Sequence, residues 1–471
     1  MKIVFIDPPQ EYLMQERTQA PLGLMYLGAV LRENGFDAVI SRPNSGKPED
    51  LNRDIPEGDI YAFSTTSLGY EASCDIARFI KRTRKNATVI IGGYHVTCEP
   101  DSTQLEKLDK DSNEMLWDVI CTGEAEHTIL EIVDDFSSNK LKKRYNQTQL
   151  VDLDKIPFPA RDLVEEQGGN IFVYDKHYSE NGTSTVISSC RGCPYTCVFC
   201  STAAMWGRSV RYRSGEGMLA EIRDCIDNYD IREFRFSDEL FTVNRKRTID
   251  LMKFFEQEEI YFKCSTRVDR VDDELLETMK AGGCKEIAFG VESFDPVVRE
   301  AISKGTGQDD IEKALYACDR IGIDTRVLLM IGTPGERVIT PDININALEE
   351  LPWTCASLTV FMPLPGSPSW VDPDSCNIRI KSYDLSRYNI YLWEKGNPNA
   401  NRNDDVVEIL SLPSTAVQVA NQEKMTQYFL DNGKMNEIAR AKEQIEHFED
   451  EKLQSPVTYT EEPLGTMITE K

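Results

Sequence analysis

The sequence predicts an α/β protein built from two parallel-sheet units in series. Three observations carry that expectation. Short apolar runs alternate with amphipathic helical patterns from Met1 to about Phe136. The alternation returns at Ser184 and repeats six times, and it stops after "PLPGSPSW" near Trp370. The first unit is read as a doubly wound, Rossmann-like sheet, the second as a partial (β/α)6 barrel of TIM-like design. The expected domains are residues 1–140, a linker at 141–183, the barrel at 184–370 and a C-terminal region at 371–471. That last region is expected to be mostly helical, with a disordered tail from about Gln454.

In the first unit, "KIVFID" is a short buried strand, and "PLGLMYLGAVLRENG" has helical periodicity that stops at Gly35. "GDIYAFSTT" is a strand, "YEASCDIARFIKRTRK" an amphipathic helix, and "ATVIIGG" a buried strand ending in paired glycines. "WDVICTGE" and "EHTILEIVDDF" repeat the unit, and "DLDKIPFPARDL" is a proline-punctuated connector. The barrel strands are "STVISS", "EFRFSD", "YFKCSTR", "EIAFGVES", "TRVLLMIG" and "SLTVFM", with helical patterns after the first five. In both designs function sits on the loops that follow the strands.

The chain has 471 residues, 40% of them hydrophobic, enough for two or three cored domains. It contains no run of about eighteen apolar residues, so no transmembrane helix is expected. The opening "MKIVFIDPPQ" lacks the apolar length and cleavage site of a signal peptide. A cytoplasmic protein is expected, its 13 cysteines reduced or bound to metal. With 53 basic and 79 acidic residues the net charge is −26, which opposes a large nucleic-acid footprint. Neither a nucleic-acid nor a membrane partner is expected.

The stretch "SSCRGCPYTCVFCST" places Cys190, Cys193, Cys197 and Cys200 in one short segment after a strand. Cys193-x3-Cys197-x2-Cys200 can wrap one corner of a cubane iron–sulfur cluster, because soft thiolates suit iron. Three ligands leave one iron open for chemistry. A zinc knuckle on all four thiols is the alternative, but zinc sites usually separate their two ligand pairs by a longer gap.

"GCPYTCVFC" resembles the cluster loop of radical S-adenosylmethionine (radical SAM) enzymes. The resemblance implies a [4Fe-4S] cluster on Cys193, Cys197 and Cys200, with Phe199 near the adenine and Cys190 outside the ligand set. It implies that S-adenosylmethionine chelates the open iron and is cleaved reductively to a 5′-deoxyadenosyl radical. It also implies S-adenosylmethionine contacts at the later strand ends: Asp238 and Glu239 in "FSDELF", Arg267 in "STRVD", Glu292 and Ser293 in "FGVES", and Gly332 in "MIGTPGE". Arg267 is expected to hold the carboxylate.

Ser64 and Thr66 in "FSTT", with Gly92 and Gly93 in "IIGGYH", resemble the elements with which cobalamin-binding domains hold the nucleotide tail. "TGEAEHT" and "IPFPARDL" resemble the class that joins such a domain to a radical SAM barrel. The usual Asp-x-His-x-x-Gly loop is absent, so cobalamin would lack that histidine ligand; Thr66 stands where leucine is usual. His95 is placed to face the same cleft, and the chain holds only four histidines.

The resemblance implies a cobalamin-dependent radical SAM enzyme that methylates an unactivated carbon of a small-molecule or peptide substrate. It also implies a reducing partner such as flavodoxin or ferredoxin. Alternatives are a cyclase or rearrangement enzyme, a methylthiotransferase-type RNA modifier, and a non-catalytic cobalamin or iron–sulfur sensor.

Overall fold

The computed structural model describes residues 1–10, 13, 20–99, 115–147, 149–165, 178, 183–392 and 401–432. The first sheet holds β1 (Lys2–Ile6), β2 (Asp37–Ser41), β3 (Ile60–Ser64), β4 (Thr88–Gly92), β5 (Val119–Thr122) and β6 (Arg144–Asn146). All its pairings are parallel, in the order β2-β1-β3-β4-β5-β6. The order reverses between β1 and β3, as a doubly wound sheet requires. Side chains alternate between its two faces. Ile3, Phe5, Ile60, Ala62 and Ile90 enter one core, while Val4, Ile6, Tyr61, Phe63, Val89 and Ile91 enter the other. Burial on both faces is why these strands read as unbroken apolar runs.

The second sheet holds β7 (Ser184–Ile187), then, beyond a short antiparallel hairpin of β8 (Cys190–Arg191) and β9 (Arg211–Tyr212), β10 (Glu233–Phe236), β11 (Tyr261–Thr266), β12 (Cys284–Glu292), β13 (Asp324–Ile331) and β14 (Cys355–Val360). They pair in sequence order, all parallel. Among the described residues β7 and β14 do not pair, so the barrel stays open on one side. Ile287, Phe289 and Val291 of β12 enter the core, and the alternate Ala288, Gly290 and Glu292 line the lumen. Three of the helices behind the strands start on side-chain caps: Ser214 accepts from Gly217 N, Asn244 from Arg247 N and Asp272 from Leu275 N.

Two features differ from the sequence expectation. The segment read as linker supplies β6, a three-residue edge strand too short to show a period. Its Arg161 is also a buried anchor: it donates to Glu221 at 2.7 Å and to Val186 O at 3.0 Å, and Arg213 meets the same carboxylate. Among its described residues the C-terminal region, expected to be mostly helical, contributes a hairpin, β15 (Ile378–Ile380) with β16 (Val407–Ile409), two single-turn 3-10 helices and the helix Thr415–Asp431. The expected disordered tail and the rest of the predicted helical stretch lie outside the described residues. Among the described residues no helix is long and apolar enough to cross a membrane.

The Thr415–Asp431 helix docks on the turn after β13 through buried polar groups. Asn403 donates to Gly332 O at 3.0 Å and Phe361 O at 2.7 Å, and accepts from Gln418 at 2.8 Å. Glu336 accepts from Gly332 N at 2.6 Å and Thr333 N at 3.1 Å. Burial pushes its carboxyl up to about 7. A carboxyl raised in the folded state gives stability that is present below its ordinary value and lost as pH rises through the folded value. Glu336→Gln, neutral at every pH, is therefore expected to melt above wild type at pH 8 and level with it near pH 4. Thermal melts at the two pH values check this; the same difference at both contradicts it.

Candidate active site

The cysteine loop is held open by its own backbone. Gly192 has φ +105°, and a Cβ there would sit 2.4 Å from Ser209 O, so a side chain has neither the conformation nor the room. Val198 N donates to Ile302 O at 3.1 Å, and Val198 O accepts from Ser369 N at 2.9 Å. Val198 and Phe199 pack against Phe361, Met330 and the β15–β16 hairpin. With the loop pinned in this way, Cys193, Cys197 and Cys200 line one cavity of about 420 Å³ at the strand ends. Burial pushes all three thiols up; Lys304 pulls Cys197 and Cys200 back down, and Arg267 pulls down Cys193 and Cys197. The Cys200 thiol reaches the Thr202 hydroxyl at 3.2 Å. Cys190 does not line the cavity; it is buried in β8 with its thiol pushed up by burial.

Phe199, Asp238, Glu239, Arg267 and Glu292 line the same cavity. Asp238 is tied back to the first strand end: it accepts from Ser189 N at 2.7 Å and Cys190 N at 3.0 Å. Burial raises its carboxyl, opposed by Ser189 and Arg247. Glu239 opens onto the cavity mouth, yet protein crowds it on several sides and raises its carboxyl. Arg267 is 6% exposed, and three of its five donors are engaged. It grips Asp269 with two, at 2.8 and 3.0 Å, and Lys304 O with a third at 2.6 Å. Tyr195 of the cysteine loop stacks 3.9 Å from the guanidinium. Glu292 has φ +65°, a strained value for this residue type, next to a register shift in the β12–β13 pairing.

Two of the predicted residues do not line the cavity. The Ser293 hydroxyl is buried and donates to Asn344 of the Thr340–Glu350 helix at 3.0 Å. Gly332, φ +70°, faces the C-terminal region; a Cβ there would lie 2.5 Å from Gln422 Nε2. The sequence reading missed Lys304, which lines the cavity at 7% exposure and bonds Glu292 at 2.8 Å. It follows a helix rather than a strand, so a search of strand ends passes over it. Gly290 makes room for this pair: a Cβ there would lie 2.6 Å from Lys304 Nζ.

In the first domain, Ser64, Thr66, Gly92 and Gly93 lie together at the C-terminal ends of β3 and β4. Gly93 has φ +95°, and a Cβ would be 2.6 Å from Thr65 N and 2.8 Å from Ser64 Oγ. Close seating of this turn on β3 therefore already demands glycine at Gly93. Thr66 Oγ1 accepts from Gly69 N at 3.2 Å. His95 is buried, its ring 4.5 Å from Tyr70 and its Nδ1 3.2 Å from Ser67 Oγ, so it serves the core rather than facing the cleft.

The strand ends of the two sheets face each other. Glu124 and Glu126, after β5, meet Arg211 and Arg191 of the β8–β9 hairpin. Tyr94, after β4, donates to Glu239 at 3.2 Å and accepts from Trp206 Nε1 at 2.7 Å. Both candidate cofactor sites thus open toward the domain junction.

The comparisons with known proteins agree with this arrangement. The family model of the radical SAM superfamily matches residues 187–339, and that of the B12 binding domain matches residues 16–133. An uncharacterised methyltransferase of Pyrococcus horikoshii is 30% identical over 398 residues, covering 79% of this chain and 82% of its own. The cytidylyl-2-hydroxyethylphosphonate methyltransferase of Streptomyces wedmorensis is 23% identical, covering 83% of this chain and 87% of its own. The fold is similar to that of the radical S-adenosylmethionine methyltransferase TsrM from Kitasatospora setae, solved with cobalamin and a [4Fe-4S] cluster. The TM-score is 0.64 at 15% identity, over 91% of this chain and 88% of that one. The chain belongs to the radical SAM superfamily, in the form that carries an N-terminal B12 binding domain.

Proposed function

We propose that the protein is a cobalamin-dependent radical SAM methyltransferase acting on an unactivated carbon of a small molecule. The observation that carries this is the convergence of three cysteines, the Lys304–Glu292 pair and Arg267 on one cavity that faces the B12 domain. The donor set fits a [4Fe-4S] cluster: three thiols, no histidine, and cations beside them to offset thiolate charge. The first-domain residues fit a cobalamin tail less specifically, through the Ser64 hydroxyl and the side-chain-free turn after β4.

When bound, the cluster and cobalamin supply the electron and the methyl carrier that amino-acid side chains lack. The chain's own work is binding, orientation and exclusion of water. Phe199 would offer the adenine an apolar face. Lys304 and Arg267 would attract the carboxylate of S-adenosylmethionine, and Glu239 its ammonium. Asp238 holds the first and second strand ends at a fixed separation. A low-potential reductant such as a flavodoxin or ferredoxin would supply the electron.

Lys304, which lines the cavity and holds Glu292 with one of its three donors, is better placed to take the carboxylate than Arg267, three of whose donors are committed to Asp269 and Lys304 O. Lys304→Met is expected to weaken S-adenosylmethionine binding at least about tenfold while iron content stays at wild type. Arg267→Met is expected to lower the melting temperature more than the affinity. Equilibrium dialysis, iron analysis and melts on one anaerobic preparation check both; the reverse pattern returns the role to Arg267. Methyl-labelled S-adenosylmethionine tests the reaction itself: label appears in a product carbon under methylation and stays out of it under cyclisation.

A further inference from the structure

The segment Gly93–Glu99 runs from the end of β4 to the cysteine loop and is fixed at both ends. Its N-terminal turn sits on the end of β3: His95 N donates to Thr65 O at 3.1 Å, and Gly93 leaves no space for a Cβ above Ser64 and Thr65. Thr97 Oγ1 accepts from Gly123 N at 3.0 Å, which ties the segment to the end of β5 as well. At its far end the Cys98 thiol lies 3.9 Å from Ser201 O, one residue beyond the last cysteine of the loop. A Cβ on Gly366 would lie 2.8 Å from Cys98 Cβ and 2.9 Å from Ala204 Cβ, so three chain segments meet there without slack. Trp370 Nε1 donates to Glu99 at 2.8 Å and closes the same junction.

Tyr94 is the side chain this segment extends into the second domain. Its hydroxyl accepts from Trp206 Nε1 at 2.7 Å, on the Thr202–Trp206 helix that follows the cysteine loop. It donates to Glu239 Oε1, which lines the cysteine cavity, at 3.2 Å. The Tyr94 and Trp206 rings meet edge-on, with centroids 6.0 Å apart. Desolvation raises the phenol well above its ordinary value, so it stays protonated and keeps donating across the working pH range.

We propose that Tyr94 is a positioning residue that couples the two cofactor sites, so that cobalamin bound at the Ser64–Gly93 cleft and S-adenosylmethionine bound in the cysteine cavity strengthen each other. The inference rests on the cofactor assignments under Proposed function. A ligand that settles the Gly92–Gly93 turn also settles Tyr94, and through it the Glu239 carboxylate. Both ligands then favour the same arrangement of Tyr94 and Glu239, and a shared preference of that kind is positive cooperativity. Linkage requires the effect to be reciprocal, and couplings of this kind are typically about 5–150-fold.

The test uses full-length protein with its cluster reconstituted. S-adenosylmethionine affinity is measured by equilibrium dialysis without cobalamin and with saturating hydroxocobalamin, and cobalamin affinity is measured in the reciprocal pair. Wild type is expected to show at least about a fivefold gain in both directions. Tyr94→Phe keeps the ring and removes both hydrogen bonds; its gain is expected to fall close to one, whatever the affinity of each ligand alone. Trp206→Phe, which leaves the bond to Glu239, is expected to retain most of the gain. A merely structural role lowers both affinities and leaves their ratio unchanged. Undiminished coupling in Tyr94→Phe overturns the proposal, as does wild-type affinity that ignores cobalamin. A chain that binds no cobalamin at all overturns the cofactor reading together with the coupling.

Discussion

Cys197→Ala is expected to yield a folded protein that binds no iron–sulfur cluster and cleaves no S-adenosylmethionine. Cys193→Ala and Cys200→Ala are expected to do the same. The three thiols share one cavity wall, so each supplies a corner that no neighbour replaces. Cys190→Ala is the internal control. Its thiol is buried in the β8–β9 hairpin away from the cavity, so iron content and cleavage are expected to stay near wild type. Iron and sulfide analysis, the visible absorbance of the cluster and the yield of 5′-deoxyadenosine measure all four variants. Equal iron loss in Cys190→Ala contradicts the assignment.

Glu221→Ala is expected to produce the largest loss of stability. Its carboxylate is fully buried between Arg161 and Arg213, and all three side chains are at most 7% exposed. Burial raises the carboxyl, but the two guanidinium groups together hold it below its ordinary value. Removing the carboxylate leaves two cations with no counter-charge, a cost of about 3–5 kcal/mol. Replacing all three groups with apolar residues of similar volume is expected to recover most of that loss, because the desolvation cost disappears with the charges. Thermal melts of the single and triple variants check this. A triple variant as unstable as Glu221→Ala contradicts it.

The alternation of strands and helices was legible because it follows from burial. Val4 and Phe5 serve opposite faces of one buried sheet, so both are apolar, and the run length marks the strand. The cysteine spacing was legible because a loop that binds one cluster carries its ligands close together in the chain. What stayed hidden has several causes, contacts distant in sequence first among them. Lys304 reaches the cavity from the loop after a helix, and only the fold brings it to Glu292. Arg267 looked available as a strand-end cation, but Asp269, two residues on, already holds it. Ser293 looked like a site residue by its neighbour, yet it lies just past the end of β12 and its hydroxyl bonds Asn344. The hairpin β15–β16 was unreadable because three-residue strands carry no period.

The junction between the domains has the same character. Tyr94 follows the paired glycines in sequence, but its partners Trp206 and Glu239 lie more than a hundred residues away. Glu124 and Arg211 form the same kind of long-range pair. These contacts set how the B12 domain faces the cysteine cavity, and no local pattern encodes them.

Anaerobic reconstitution with iron, sulfide and hydroxocobalamin, followed by reduction and incubation with S-adenosylmethionine, decides whether the protein carries both cofactors and cleaves S-adenosylmethionine. The expected result is a [4Fe-4S] signal whose spectrum shifts when S-adenosylmethionine is added, cobalamin retained through desalting, and 5′-deoxyadenosine formed only when Cys193, Cys197 and Cys200 are all present. Stoichiometric zinc in place of iron, or no 5′-deoxyadenosine from a fully loaded wild-type protein, would contradict it.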